Sequence, residues 1–520
     1  MNGTLVNREW FRSDTAILLG LAVASMAIHL AFINEYGYFR DELYYIACSK
    51  HLSWGYVDQP PLSIFLLAFT RWLFGDSLLA IRIPAAIAGS AMVFIAGRMA
   101  RQLGGGRGAQ VIAALATLTS PVILGNAGRY FSMNAFDLFF WAIAGSIAIE
   151  IFRANRPRLW ILFGAVAGLG LMNKYSMGFF VLGLIVGMLL TPERIHFRRP
   201  WFWLGTAAGA CIFFPHLLWE FRNGFPTLEF MDNATALKNI PTSPWAFFLG
   251  QITEAGPTNA IVWIPGLIFL LMSKNMRPYR LFGFMYVVIF VILAFQNAKA
   301  YYLSPILTLL FAAGGCAIEA VGAGSFAWIR PAVGALVVFG GIIAAPFTLP
   351  VLPVNTFIQY QNSLGIPPLR DERTPLGPLP QYYADMFGWQ EMVDTVARIY
   401  GELSPHDREQ CWIYTRNYGE AGAIDFFGRS RGLPGATCTH NSYWFWKPDR
   451  WSGEVAIMFG RSNDTADASP DLRRFFDSIE LAGFTHGNLA MPYETGRPIY
   501  ICRGARFTLE WLWQRDKHFI

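Results

Sequence analysis

The sequence is poor in charge. Of its 520 residues only 15% are Asp, Glu, Lys or Arg, against about 25% in soluble globular domains. Hydrophobic residues make up 54% and aromatic ones 16%, and the mean hydropathy of +0.35 places most of the chain in lipid. The net charge is only +6. Its arginines and lysines cluster between apolar runs instead of lining one face, which excludes a nucleic-acid partner and points to membrane topology. Cysteine is scarce as well: there are six, none at a metal-ligand spacing. Cys48, Cys211 and Cys316 lie in or beside apolar segments. The odd trio Cys411, Cys438 and Cys502 cannot pair completely; free buried thiols are the expected state, with Cys411 and Cys438 the alternative, a disulfide candidate if the tail is periplasmic. There is no short internal repeat and no low-complexity tract. No small-residue cleavage site precedes the first apolar run, Thr15 to Ile33, which is long enough to stay as an anchor. With Arg8 and Arg12 before it, the amino terminus is expected in the cytoplasm.

What the chain has in quantity is long apolar runs. Candidate spans are 15–34, 80–100, 108–125, 135–152, 158–174, 176–191, 201–219, 258–273, 281–297, 301–321 and 328–350, about eleven in all. The basic residues test the count. Arg98, Arg101 and Arg107; Arg153, Arg156 and Arg158; Arg194, Arg198 and Arg199; Lys274, Arg277 and Arg280; and Arg330 fall in alternate loops, which are therefore cytoplasmic. Counting Pro61 to Phe74 as a further span would invert every later loop, so that piece reads as a juxtamembrane or re-entrant helix.

With this parity the opposite face collects a different set: Arg40, Asp41, Glu42 and Asp58; Arg129, Asn134 and Asp137; Lys174 and Tyr175; His216, Glu220 and Glu229; Lys299, Tyr301 and Tyr302. Single polar residues at helix ends are commonplace as snorkelling or capping groups; their shared sidedness is what singles them out. The stretch Tyr36-Gly-Tyr-Phe-Arg-Asp-Glu-Leu-Tyr-Tyr, running on to Asp58 and Gln59, sets two adjacent carboxylates among aromatic rings as the chain leaves the first apolar run. Charge at membrane depth costs several kcal/mol, so such a pair marks a functional site, a solvated loop with an aromatic belt being the alternative.

After Pro350 the composition becomes that of a soluble domain. The expected organisation is a transmembrane domain over 1–352, a Pro-rich connector over 353–380 and a small extracytoplasmic α/β domain over 381–520. Helical periodicity fits Met386 to Tyr400 and Pro470 to Ala482, and strand-like runs fall at Cys411 to Thr415, Val455 to Phe459 and Pro498 to Cys502. Two further runs, from Asn417 to Gly428 and from His440 to Trp446, are rich in turn formers and aromatics; they fit core and loop packing, or a sugar or partner surface.

Neighbouring residues on a helix point roughly 100° apart, so Asp41 and Glu42 cannot both address one atom; one acts and the other positions. A guanidinium beside a carboxylate lowers its pKa and burial among aromatics raises it, a balance that suits a general base. Lys174, Lys299 and Arg129 suit a phosphate, and the accompanying tyrosines add hydroxyl donors. An outward-facing base and a phosphate cluster in an apolar bundle invite a substrate with both a phosphate and a lipid tail, such as a polyprenyl-phosphate sugar.

An ordered series of motifs then carries a resemblance: Arg40-Asp-Glu-Leu-Tyr-Tyr, Asp58-Gln-Pro-Pro-Leu, Phe74-Gly-Asp-Ser, Arg82-Ile-Pro, Gly128-Arg-Tyr-Phe-Ser-Met-Asn-Ala-Phe-Asp, Asn173-Lys-Tyr-Ser, Gly224-Phe-Pro-Thr-Leu and Lys299-Ala-Tyr-Tyr-Leu-Ser-Pro. Over about residues 10 to 350 the chain resembles the GT-C glycosyltransferases of the protein O-mannosyltransferase and aminoarabinose transferase type, glycosyltransferase families 39 and 83. The resemblance implies a polytopic α-helical GT-C fold with juxtamembrane helices in the first outer loop. It also implies an inverting transfer, on the extracytoplasmic face of the cell membrane, from a polyprenyl-phosphate-linked sugar to an envelope acceptor: lipid, glycan or protein. Asp41 matches the family's first-loop acid, as base or acceptor-orienting group, with Glu42 in support; Lys174, Lys299 and Tyr301 match the donor-phosphate contacts. Arg40, Tyr44, Arg129, Tyr130, Asn134, Asp137, Tyr175, His216 and Tyr302 complete the candidate substrate contacts. No cofactor is implied, and the acidic spacing demands no divalent ion. The chain departs from the pattern at Asn134, where many relatives have a second acid; either Asp137 takes over or that acid is dispensable. The competing reading, a transporter or flippase for a lipid-linked or anionic substrate, predicts broken helices related by an inverted repeat.

Overall fold

In the computed structural model the described residues are 13–370, 372–449, 451–460 and 470–520; Arg8 and Arg12 lie outside them. The chain divides into two compact units, one of residues 1–35, 73–218 and 241–352 and the other of residues 36–72, 219–240 and 353–520.

The first unit is helical and is that of a multi-pass membrane protein. Among the described residues, seven helices are long and apolar enough to cross a membrane: Asp14–Phe32, Leu78–Gln102, Met133–Ala154, Pro200–Arg222, Arg277–Phe295, Ala300–Val321 and Gly324–Thr348. Three helix pairs raise the number to ten if each bent pair is one span, and all three break at a proline. Arg107–Thr119 meets Pro121–Gly128 at 58°, Met177–Leu189 meets Pro192–Arg198 at 111°, and Pro244–Ala255 meets Pro257–Met272 at 99°. The remaining expected span is the fifteen-residue helix Leu159–Asn173. Every apolar run is thus helical; the break at Pro121 falls inside an expected span, 108–125, whereas those at Pro192 and Pro257 fall just outside the spans expected over 176–191 and 258–273.

Bulk apolar side chains fill the interior of this unit around Trp141, Trp160, Trp263 and Phe282, all 2% exposed or less. Small residues let backbones touch: a Cβ on Gly164 would meet the Gly205 carbonyl, and one on Gly168 would lie 2.7 Å from the Gly209 carbonyl oxygen. The two Gly-x-x-x-Gly runs therefore face each other, the packing mode available where lipid offers no hydrophobic drive. The cationic helix ends also pair. Arg101, Arg107 and Gln110 converge on Asp14, and Arg153 and Arg156 on Glu150.

The second unit is an α/β sandwich on a five-stranded sheet of order β2-β1-β3-β5-β4. Its strands are β1 Cys411–Tyr414, β2 Ala436–Thr437, β3 Val455–Phe459, β4 Phe476–Phe484 and β5 Pro498–Ala505. β1 runs parallel to β2 and β3, whereas β5 pairs antiparallel with β3 and β4. Both faces of the central strands are buried, which is why β1 and β3 read as unbroken apolar runs. Cys411, Ile413, Val455, Ile457, Phe459, Ile499 and Ile501 face one core with Met392, Val393, Val396 and Ile399 of the Trp389–Glu402 helix. Trp412, Tyr414, Ala456, Met458, Tyr500 and Cys502 face the other with Leu512.

One expectation needs correction. The helix read over Pro470 to Ala482 ends at Phe475, and Phe476–Phe484 is instead an edge strand, because pairing with β5 outweighs a local helical pattern. The connector over 353–380 holds a helix, Val354–Ser363, whose Phe357 and Gln361 are buried. Cys411 and Cys438 are both buried free thiols, the expected state.

The polar stretch after the first apolar run folds within this second unit. Arg40–Lys50 is a helix whose Leu43 enters the sheet's core. The Leu62–Phe74 helix that follows has thirteen residues, too few to span.

Candidate functional site

In the second unit the adjacent carboxylates diverge as helix geometry requires. Glu42 is fully buried, and its carboxylate accepts the Phe39 backbone N–H at 2.8 Å, closing the first turn of the Arg40–Lys50 helix. Asp41 keeps 29% of its side chain exposed. Its Oδ1 accepts the Tyr418 hydroxyl at 3.0 Å and lies 3.5 Å from Arg40 Nε. Burial pushes the Tyr418 phenol well up, so it stays protonated and donates.

Arg40 organises the rest. It hydrogen-bonds the Tyr493 hydroxyl at 2.6 Å and lies 3.8 Å from Asp385 and 4.0 Å from Glu372, with Tyr418 under its guanidinium at 5.5 Å. Burial disfavours its charge, but the surrounding acidic groups outweigh that and hold it more firmly protonated than usual. Burial pushes the Asp385 carboxyl up to about 7, against the pull of Arg40. It pushes Asp58 up to about 6, opposed by the hydrogen bond from Tyr44 and helped by the charge of Asp41. The Tyr44 hydroxyl is 2.8 Å from Asp58 Oδ1 and 2.7 Å from Ser442 Oγ. Asp41 is therefore the open member of a largely buried acidic group.

Tyr418, Asp385, Tyr493 and Ser442 were not among the expected site residues. Two of them lie in the runs noted for turn formers and aromatics, and those runs are mostly buried packing elements. The Tyr418–Ala423 helix reaches the Arg40–Lys50 helix through glycines: a Cβ on Gly419 would be 2.5 Å from Arg40 Cγ, and one on Gly422 2.7 Å from the Leu43 carbonyl carbon. The repeated glycine was the available signal, since close backbone approach needs it.

In the membrane unit, Lys174 follows the Leu159–Asn173 helix directly. Its Nζ donates to Asn134 Oδ1 at 2.7 Å, pairs with Asp137 at 3.7 Å, and sits 5.2 Å from the Tyr301 ring centre and 5.3 Å from that of Tyr302. Asp137 is 3% exposed and also accepts the Ser176 hydroxyl at 2.5 Å. Lys299 precedes the Ala300–Ile306 turn that carries both tyrosines, close enough to repel the Lys174 ammonium. The structure thus brings together Asn134, Asp137, Lys174, Lys299, Tyr301 and Tyr302. Both residues at the departure from the family pattern hold Lys174. The neighbouring Tyr175 hydroxyl contacts His216 Nε2 at 2.5 Å, while Arg129 packs over the Tyr130 ring at 5.0 Å. Among the described residues no group of three His, Cys, Asp or Glu side chains is set to hold a metal ion.

A polytopic helical unit in which Asn134, Asp137 and two tyrosine rings hold a lysine, in a chain that also carries a small α/β unit, can be compared with known proteins. Over 94% of this chain and 97% of the other, the structure matches the crystal structure of ArnT from Cupriavidus metallidurans bound to undecaprenyl phosphate, with a TM-score of 0.58 at 15% identity. This is the GT-C fold. Residues 58–219 match the family model for dolichyl-phosphate-mannose-protein mannosyltransferase. Over 310 residues, 56% of this chain and 62% of the relative, the sequence is 24% identical to the lipid A galacturonosyltransferase RgtD of Rhizobium johnstonii. Over 220 residues, 38% of each chain, it is 27% identical to the undecaprenyl phosphate-alpha-4-amino-4-deoxy-L-arabinose arabinosyl transferase 1 of Pseudomonas fluorescens. The chain spans less than two thirds of the length of the curated relatives it matches. In the GT-C fold of this chain, the family-model segment includes Arg129, Tyr130, Asn134, Asp137, Lys174, Tyr175 and His216, whereas Asp41 and Lys299 fall outside it.

Proposed function

We propose that the protein is a multi-pass glycosyltransferase of the inner membrane, which moves a sugar from a polyprenyl-phosphate donor to an envelope acceptor on the extracytoplasmic face. The observation that carries the reading is Lys174, a cation held by Asn134 and Asp137 against two tyrosine rings in the membrane unit of a GT-C fold. One solved structure with this fold is bound to undecaprenyl phosphate.

The chemistry is a single displacement. Asp41 takes the proton of the acceptor hydroxyl, the freed oxygen attacks the anomeric carbon from the face opposite the phosphate, and the carbon–oxygen bond to the phosphate breaks with inversion. Lys174 and Lys299 take up the negative charge left on the polyprenyl phosphate, and Tyr301 and Tyr302 place hydroxyls and ring faces around it. Tyr418 and Arg40 hold the Asp41 carboxylate in one orientation. Glu42 positions it by closing the helix turn that carries it. In this reading the amino terminus is cytoplasmic and the α/β unit extracytoplasmic.

The test begins with mass spectrometry of envelope lipids and glycans from cells with and without the protein. The expected result is a hexose or pentose present only with it, and identical profiles overturn the proposal. In membranes supplied with labelled polyprenyl-phosphate sugar, Asp41→Asn is expected to lose nearly all transfer while keeping its unfolding temperature; unchanged transfer removes Asp41 as the base. Lys299→Ala is expected to raise the apparent KM for the donor more than for the acceptor. The three bent helix pairs are what favour the transporter reading. Under that reading the labelled lipid changes leaflet with no new glycosidic bond formed.

A further inference from the structure

The second unit contains a cavity of about 300 Å³ that the reaction above does not use. Trp219, Phe445 and Trp446 wall it, His51 and Ser53 stand at its side, and Ser442 lies at its buried base. The volume is at the low end of the roughly 300 to 1,000 Å³ typical of small-molecule sites, which suits one sugar residue better than a lipid tail or a peptide.

The lining is the informative part. No Asp, Glu, Lys or Arg is among the residues around the cavity, so it offers no carboxylate, ammonium or guanidinium to a phosphate, a carboxylate or a metal ion. It does offer aromatic rings and short polar groups. The wall is built in advance: His51 stacks on Trp446 with ring centres 4.3 Å apart and planes 17° apart, Tyr443 meets the same indole edge-on at 4.8 Å, and Trp219 meets Phe445 at 5.7 Å. An uncharged pyranose matches this lining. Its axial C–H bonds form a weakly positive apolar face that packs on the negative face of an aromatic ring, and its hydroxyls need small donors and acceptors at the rim. The base also connects to the acidic group. Ser442 Oγ accepts the Val57 N–H at 3.1 Å and contacts the Tyr44 hydroxyl, which reaches Asp58.

We propose that this cavity is a saccharide subsite, in which an uncharged sugar ring of the acceptor packs against Trp446 and Trp219 and is registered by Ser53 and Ser442. The assignment to the acceptor rests on the glycosyltransferase reading; the affinity for a sugar ring does not. The two are tested separately.

In the first arm, the purified full-length chain in detergent is titrated with methyl glycosides of neutral hexoses and pentoses and observed by saturation-transfer NMR, with methyl phosphate, whose methyl protons report transfer, as a control ligand. The expected result is transfer to at least one glycoside, none to methyl phosphate, and binding about tenfold weaker in Trp446→Ala and in Trp219→Leu, the scale of a lost aromatic contact. Retention of the wild-type unfolding temperature separates lost binding from lost folding. If one variant unfolds, the other and Ser53→Ala carry the test. No transfer to any glycoside, or equal transfer to the variants, overturns the subsite. In the second arm, steady-state transfer by Trp446→Ala is expected to show a raised apparent KM for the acceptor and an unchanged one for the donor. A raised donor KM alone overturns the acceptor assignment. Glycoside binding by a chain that makes no glycosidic bond would uphold the subsite and reject the function proposed above.

Discussion

Replacing Lys174 with methionine removes a charge and keeps the length of the side chain. The cost follows from what remains. Asp137 is 3% exposed and Lys174 lies 3.7 Å from it. Coulomb's law at that separation, with an effective dielectric of about 20, gives roughly 4.5 kcal/mol, within the roughly 3 to 5 kcal/mol seen when one partner of a buried pair is removed. Part of this is recovered if Asp137 takes up a proton. Lys174→Met is therefore expected to lose about 3 kcal/mol of stability, seen as a lowered unfolding temperature in nanodiscs. Adding Asp137→Asn removes the stranded carboxylate and leaves an amide oxygen for Ser176, so the double variant is expected to return to within about 1 kcal/mol of wild type. Donor affinity does not return with it if Lys174 carries the phosphate, because the amide supplies no cation. A stable single variant would refute the energetic argument. Recovery of the wild-type donor KM by the double variant would refute the phosphate role.

Two further tests concern the second unit. Burial holds the Asp385 carboxyl at about 7, above its ordinary value of 3.8, so the folded state binds the extra proton and the stability linked to it is lost as pH rises between those values. Asp385→Asn mimics the protonated form; its gain in unfolding temperature over wild type is expected to be larger at pH 8 than at pH 5, and an equal or reversed difference would contradict the assignment. Gly422→Ala would bring a methyl to 2.7 Å from the Leu43 carbonyl carbon, backbone that cannot turn aside, and is expected to cost about 1 to 3 kcal/mol. Gly401→Ala, with open space around it inside the Trp389–Glu402 helix, is expected to gain up to about 1 kcal/mol; equal effects in thermal unfolding would deny the close helix contact.

Apolar length and basic clustering were enough to read a helix at every membrane run, because both signals are local. The bends were less legible: prolines at 121, 192 and 257 mark where a helix can break, but Pro84 and Pro215 sit inside unbroken helices, and packing decides between them. The grouping of Lys174 with Tyr301 was anticipated from shared sidedness. The anchoring of Lys174 by Asn134 and Asp137 together was not, since two acceptors three residues apart face one side only after the helix forms. In the second unit the expected acid was found beside partners hundreds of residues away, Tyr418 and Tyr493 among them, which periodicity cannot place. Glu42 was the legible exception, an acid three residues after the turn it caps.

The helix ending at Asn173 has fifteen residues and so rises about 22 Å, short of the roughly 30 Å of a bilayer's hydrocarbon core. It leaves about 8 Å of hydrocarbon core unmatched on its lipid-facing side. Lys174 follows the helix's last residue directly, so the cation stands at one of the two ends where that mismatch falls, and thicker acyl chains are expected to act on the protein there.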